Sequence, residues 1–85
     1  MEKYFNIYRN REKMSDIKFA SVIEALDYLR WITDEWRNTS KLSRLSGPRT
    51  SFFIKDENDV IRLIINSKSL SDRDFITSEI NKLKQ

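Results

Sequence analysis

Apolar and polar positions alternate most clearly across residues 50–66. Two β-branched and aromatic runs flank the polar quartet Asp56, Glu57, Asn58 and Asp59. That pattern predicts a β-hairpin. With the quartet as its loop, Lys55 pairs with Val60, Phe53 with Arg62, and Phe52 with Leu63. Successive strand side chains point to opposite faces. One face then carries Phe52, Ile54, Ile61, Leu63 and Ile65, all apolar, and is expected to be core. The other carries Phe53, Lys55, Val60, Arg62 and Ile64, a mixture.

The N-terminal stretch alternates as well. Phe5 and Ile7 share one face, and Tyr4, Asn6 and Tyr8 the other. Asn10, Arg11, Glu12 and Lys13 form a polar turn, and Ile17, Lys18 and Phe19 a short returning strand with Ile17 and Phe19 inward. The period then changes. Ser21 and Glu24 make a capping box, in which the hydroxyl accepts from an early helix N–H and the carboxylate reaches back. Val22, Ala25, Leu26, Leu29, Ile32, Thr33 and Trp36 form one helical stripe, so a helix is expected over 21–37. The connection 38–49 contains Ser40, Ser43, Ser46 and the turn-forming pair Gly47 and Pro48, with Leu42 and Leu45 as anchors on one helical turn. Ser71 is the expected N-cap of a last helix, with Asp72 and Asp74 favouring its dipole. Leu70 and Phe75 would staple that helix, and Phe75, Ile76, Ile80 and Leu83 give it a narrow apolar face.

The expected architecture is therefore α+β: two hairpins in one antiparallel sheet, in the order ββαββα, with the 21–37 helix on one face. Phe5, Ile7, Phe19, Leu26, Leu29, Ile32, Phe52, Ile54, Ile61 and Leu63 should be buried. The pattern leaves the second sheet face open to two arrangements. Either the C-terminal helix covers it, with Phe53 and Ile64 as core, or it faces solvent.

The chain's 85 residues suit a single domain, 1–85, with a limited core. Apolar residues are 39 % and charged residues 34 %, with one Gly and one Pro, which fits a regular fold and argues against disorder. There is no Cys and no His. This removes disulfides, thiolate metal sites, the commonest zinc ligand and the commonest general base. The Asp56–Asp59 acids occupy a hairpin turn, where such residues bond locally, and their spacing is not that of an EF-hand. There is no nucleophile elbow and no phosphate-cradling glycine pattern. The expectation is a non-enzymatic protein without metal or cofactor. No apolar run approaches a membrane span and no signal-peptide core is present, so a cytoplasmic setting is expected.

Charge is segregated beneath the net charge of +3. Residues 37–55 hold Arg37, Lys41, Arg44, Arg49 and Lys55 with no acid. Residues 21–36 hold Glu24, Asp27, Asp34 and Glu35 against Arg30 alone. Segregation of this kind steers charged partners. The second sheet face would carry Tyr4, Tyr8, Lys18, Phe53, Lys55 and Arg62. Aromatic platforms interleaved with cations serve single-stranded nucleic acid binding. The 37–49 connection would border that face and neutralise phosphates. The candidate nucleic-acid residues are thus Arg37, Lys41, Arg44, Arg49, Lys55, Arg62, Lys18, Tyr8 and Phe53. The consensus motifs of the common RNA-binding modules are absent. A second surface competes. Trp31 lies opposite Val22 among the helix acids, with Tyr28 nearby, a candidate protein interface for a second copy or a foreign enzyme.

A short Lys-, Ile-, Asn- and Ser-rich chain of this kind, with its opening Met1 to Tyr8 stretch and its 37–55 basic run, resembles accessory proteins of AT-rich bacteriophages. Within that set it resembles the T-even-type phage inhibitors of the ToxN endoribonuclease, the TifA family. That resemblance implies an RNA-binding protein that restrains a host toxin–antitoxin ribonuclease in the host cytoplasm, with RNA part of the inhibited complex. It carries over no site residues. The alternative is a protein-only binding module or inhibitor that uses the Trp31 face.

Overall fold

The computed structural model describes residues 2–45, 47 and 49–84. The expected turn at Ser46, Gly47 and Pro48 falls partly on Ser46 and Pro48, which lie outside the described residues. The elements are β1 (Phe5–Arg9), β2 (Glu12–Lys13), α1 (Val22–Asn38), α2 (Leu42–Leu45), β3 (Ser51–Asp56), β4 (Ile61–Asn66), a 3-10 turn (Ser67–Ser71) and α3 (Phe75–Lys84). The fold is α+β with one antiparallel four-stranded sheet, ordered β2-β1-β3-β4. Two short elements are added to the ββαββα order: α2, the single helical turn at the Leu42 and Leu45 anchors, after α1, and the 3-10 turn after β4.

Helix α1 begins where the capping box places it. Ser21 Oγ accepts from Glu24 N at 3.1 Å, and Glu24 Oε2 accepts from Ala20 N at 2.9 Å. Its stripe, led by Leu26 and Leu29, packs on Ile7, Phe52, Ile54 and Ile65 of the sheet. Trp36 reaches Phe52 with ring centroids 6.1 Å apart. Helix α3 lies beside α1 in the same layer, its Ile76 and Ile80 joining the same core. Arg30 Nη1 donates to Thr77 Oγ1 at 3.3 Å across that seam. Both long helices therefore cover one sheet face. No helix among the described residues is long and apolar enough to cross a membrane.

Several expectations need correction. The second hairpin turns through three residues. Asp56 N donates to Val60 O, Asp59 N donates to Asp56 O, and Asp59 adopts φ 64°. A residue in the left-handed region after a tight turn is the usual closure of a three-residue loop. Asp56 Oδ1 accepts from Asn58 N at 2.9 Å and Val60 N at 3.0 Å, so one carboxylate organises the turn. Continued without interruption, this register would turn Leu63 and Ile65 outward and Arg62 inward, because a one-residue slip exchanges the faces. A bulge prevents that. Lys55 pairs with Ile61 and Ile54 with Leu63, which leaves Arg62 as the extra residue. Beyond the bulge, Phe52 pairs with Ile65, so Leu63 and Ile65 return to the core side. Ile61 does not return; it lies with Lys55 on the outer face and is exposed.

The first hairpin also differs. Its partner strand is Glu12–Lys13, reached through a two-residue turn at Asn10 and Arg11, and Phe19 meets Phe5 only as an isolated bridge. Phe19 is buried but Ile17 is exposed, because the chain between β2 and α1 does not keep strand alternation. Phe5, Ile32 and Leu63 are half-buried, at the margin of the core. Ser71 does not cap α3; it ends the 3-10 turn, and α3 begins at Phe75. Asp72 Oδ1 accepts from Asp74 N at 2.9 Å and shapes the approach instead. Leu70 is fully buried there.

Candidate nucleic-acid interface

The face turned away from both helices is the candidate site. The β1–β3 register places Tyr8 directly beside Phe53, and the β3–β4 register places Phe53 beside Ile64. Three neighbouring strands thus present a row of Tyr8, Phe53 and Ile64. The two rings are half-buried, while Ile64 is 59 % exposed. Because α1 and α3 share the opposite layer, this row is not their core.

The cations of the face are held by rings and by the turn. Lys55 Nζ sits over the Tyr8 ring at 4.4 Å from its centroid and 3.5 Å from Asp59 Oδ1. Lys18 Nζ sits over the Tyr4 ring at 4.6 Å. Arg62 Nη1 lies 3.7 Å from Asp56 Oδ2 and stays largely exposed. A cation over an aromatic face is attracted by the ring quadrupole. Asn6, between Tyr4 and Tyr8 in sequence, is buried and donates from Nδ2 to Ile17 O at 3.0 Å.

A depression of about 510 Å³ opens beside this row, lined by Asn10, Arg11, Ser51, Phe53, Lys55 and Ile61. Its size falls in the range of small-ligand clefts, roughly 300–1,000 Å³. Asn10 adopts φ 54° in the first turn, and its Oδ1 accepts from Ser51 N at 2.9 Å. That bond pins the turn to β3 and sets Arg11 at the rim. Arg11 and Ile61 were not among the sequence candidates. A register extended across the bulge hides Ile61, and Arg11 reads as an ordinary turn cation until β1 and β3 are known to be neighbours.

No protein-family model, curated protein or solved structure matches this chain.

The basic connection is placed elsewhere than expected. Arg37, Ser40, Leu42, Ser43, Ser71 and Arg73 line one shallow depression at the end of the helix layer. The 37–45 part of the connection therefore sits beside the 3-10 turn, and Arg11 takes the place at the rim of the aromatic face. Arg37 is not a free phosphate ligand. Its Nη1 lies 2.8 Å from Asp34 Oδ1, its Nη2 donates to Leu70 O, and its side chain is only 14 % exposed. Lys41, Arg44 and Arg49 are exposed and make no ion pair among the described residues.

Trp31 is 59 % exposed on the outer side of α1, its ring 6.0 Å from that of Tyr28. Tyr28 is fixed from below by Phe19 at 5.3 Å. The acids around them are partly neutralised within the helix, Asp27 by Arg30 and Asp34 by Arg37. The negative field of this surface is weaker than the residue count implies. Among the described residues no three carboxylates gather into a metal-holding group.

Proposed function

We propose that this chain binds single-stranded RNA across its open sheet face. The observation that carries the reading is the pairing of Tyr8 with Phe53 on the two central strands, on the face turned away from α1 and α3. Bases stack on such rings whatever their sequence. Lys55, already over Tyr8, moves aside to a phosphate when a base takes its place, and Arg11 and Arg62 flank the path. Lys41, Arg44 and Arg49 supply unpaired charge for a strand that continues past the face. In the setting that the resemblance to phage inhibitors of a host toxin–antitoxin ribonuclease implies, the bound RNA would be shared with the toxin.

The test is affinity for an unstructured oligoribonucleotide, measured by fluorescence anisotropy over a range of salt. Phe53→Ala should weaken binding by roughly five- to 150-fold, equivalent to about 1–3 kcal/mol per lost stack, with the salt slope unchanged. Exchanging Lys41, Arg44 and Arg49 together for Ser should weaken all sequences alike and flatten the slope by about two, since each single-strand phosphate contact contributes roughly 0.7. No binding by wild type at low salt, or a Phe53→Ala protein that binds as wild type does, would sink the proposal.

A further inference from the structure

The two edges of the sheet are unlike. One edge is β2, two residues long and charged at both, Glu12 and Lys13. Short charged edges resist pairing with other chains. The other edge is β4, six residues long, reading Ile-Arg-Leu-Ile-Ile-Asn with one charge and neither Lys nor Pro. Val60, Ile61 and Ile64 along it are all at least half-exposed or nearly so, at 50 %, 47 % and 59 %. The bulge at Arg62 interrupts the ladder near the start of the strand, and from Leu63 to Asn66 the edge offers a free backbone ladder with an apolar flank, which are the two requirements for adding a further strand.

We propose that β4 pairs antiparallel with β4 of a second copy, about a twofold axis through Ile64, to give a continuous eight-stranded sheet. Register selects this arrangement. An axis between two residues would set inward side chains against outward ones. An axis through Leu63 would oppose the inward Ile65 to Ile61, which the bulge has turned outward. An axis through Ile65 would pair only Ile64, Ile65 and Asn66, because the strand ends at Asn66 and the 3-10 turn begins at Ser67. With the axis through Ile64, Ile64 meets its own mate on the outer face. Leu63 meets Ile65 of the second copy on the helix side, and Arg62 meets Asn66. A self-complementary strand of this kind closes as a dimer and leaves no further edge of β4 to extend. The Tyr8, Phe53 and Ile64 row would run on into its symmetry mate, though the dimer does not depend on RNA binding.

Because the chain has no cysteine, one introduced thiol reports on one position. Directly opposed residues in an antiparallel pair have Cα atoms about 4.5–5.5 Å apart, within disulfide reach. Ile64→Cys should therefore oxidise rapidly to a reducible covalent dimer, and Trp31→Cys should not. By sedimentation, wild type should run as a dimer at millimolar concentration. Ile64→Lys should run as a monomer with an unchanged far-UV spectrum, since Ile64 is exposed in the single chain. A monomeric wild type at that concentration overturns the proposal. So does an Ile64→Lys protein that remains dimeric, or a Trp31→Cys protein that cross-links as fast as Ile64→Cys.

Discussion

Arg37→Met separates a structural cation from the exposed cations of the same basic run. The Arg37 side chain is 14 % exposed and joins the C-terminal end of α1 to the 3-10 turn through Leu70 O. Leu70 is itself fully buried, so its carbonyl has little access to water. A hydrogen bond with a charged donor contributes about 1.5–3 kcal/mol. The ion pair to Asp34, whose side chain is 60 % exposed, adds about 0.5 kcal/mol at most. Methionine preserves most of the aliphatic stem, so the packing loss is small. The expected destabilisation is about 1.5–3.5 kcal/mol. For a domain of this size that corresponds to a melting shift of roughly 6–28 °C. The assay is thermal unfolding followed by far-UV circular dichroism, with the Lys41, Arg44 and Arg49 triple Ser variant as control. The control should melt close to wild type, because exposed loop charges contribute little to folding. An Arg37→Met protein that melts within about 3 °C of wild type would refute the structural role and return Arg37 to the pool of free cations.

Two further predictions test the core and the bulge. Leu29 is fully buried beneath α1, and Leu29→Ala should cost about 2–5 kcal/mol, read as a lower urea midpoint with the slope unchanged. Ile61→Ser should cost under about 1 kcal/mol, because Ile61 sits half-exposed on the outer face; a loss as large as that of Leu29→Ala would mean that Ile61 points into the core and that the bulge at Arg62 is absent.

The contrast between Leu29 and Ile61 marks what the sequence made legible. Helix α1 was plain because its cap, its stripe and its length all agree. The faces of β3 were plain too, and Phe52 and Ile54 fall inward as alternation requires. On β4 the expected four-residue loop and the actual three-residue loop plus bulge differ by two residues in register beyond Arg62. An even slip preserves which face a side chain takes, so Leu63 and Ile65 were placed correctly by a wrong pairing. Ile61, on the near side of the bulge, was not. The bulge was invisible because its cause is tertiary: it keeps Arg62 out of a core formed by α1 and α3. For the site, alternation put Tyr8 and Phe53 on one face, but only the β1–β3 pairing makes them neighbours. The basic run misled for the opposite reason. The run holds no acid of its own, but acids just beyond its ends neutralise it locally: Arg37 pairs with Asp34 three residues before it, Lys55 with Asp59 four residues after it, and Arg62 with Asp56 across the hairpin turn.

The one-sided coverage of the sheet follows from what α3 has to offer. Its apolar stripe is narrow, chiefly Ile76 and Ile80 with Phe75 at the margin, and Leu83 remains exposed. A narrow stripe fits the seam beside α1, where Ile65 and Leu70 supply the remaining walls and Arg30 meets Thr77. The outer face would suit it poorly. There Asn6, Ser51, Lys55 and Arg62 interrupt the apolar row, and covering them would bury charges that Tyr8, Asp59 and Asp56 now satisfy at the surface, at a cost of several kcal/mol per unpaired ion. Helix α3 thus completes the inner core, and the row of Tyr8, Phe53 and Ile64 stays at the surface with cations already poised around it. Such a face is too polar to be a misplaced core and too aromatic to be an ordinary solvated sheet. Stacking bases and phosphates match both halves of that composition, whereas an apolar protein surface would match only the rings.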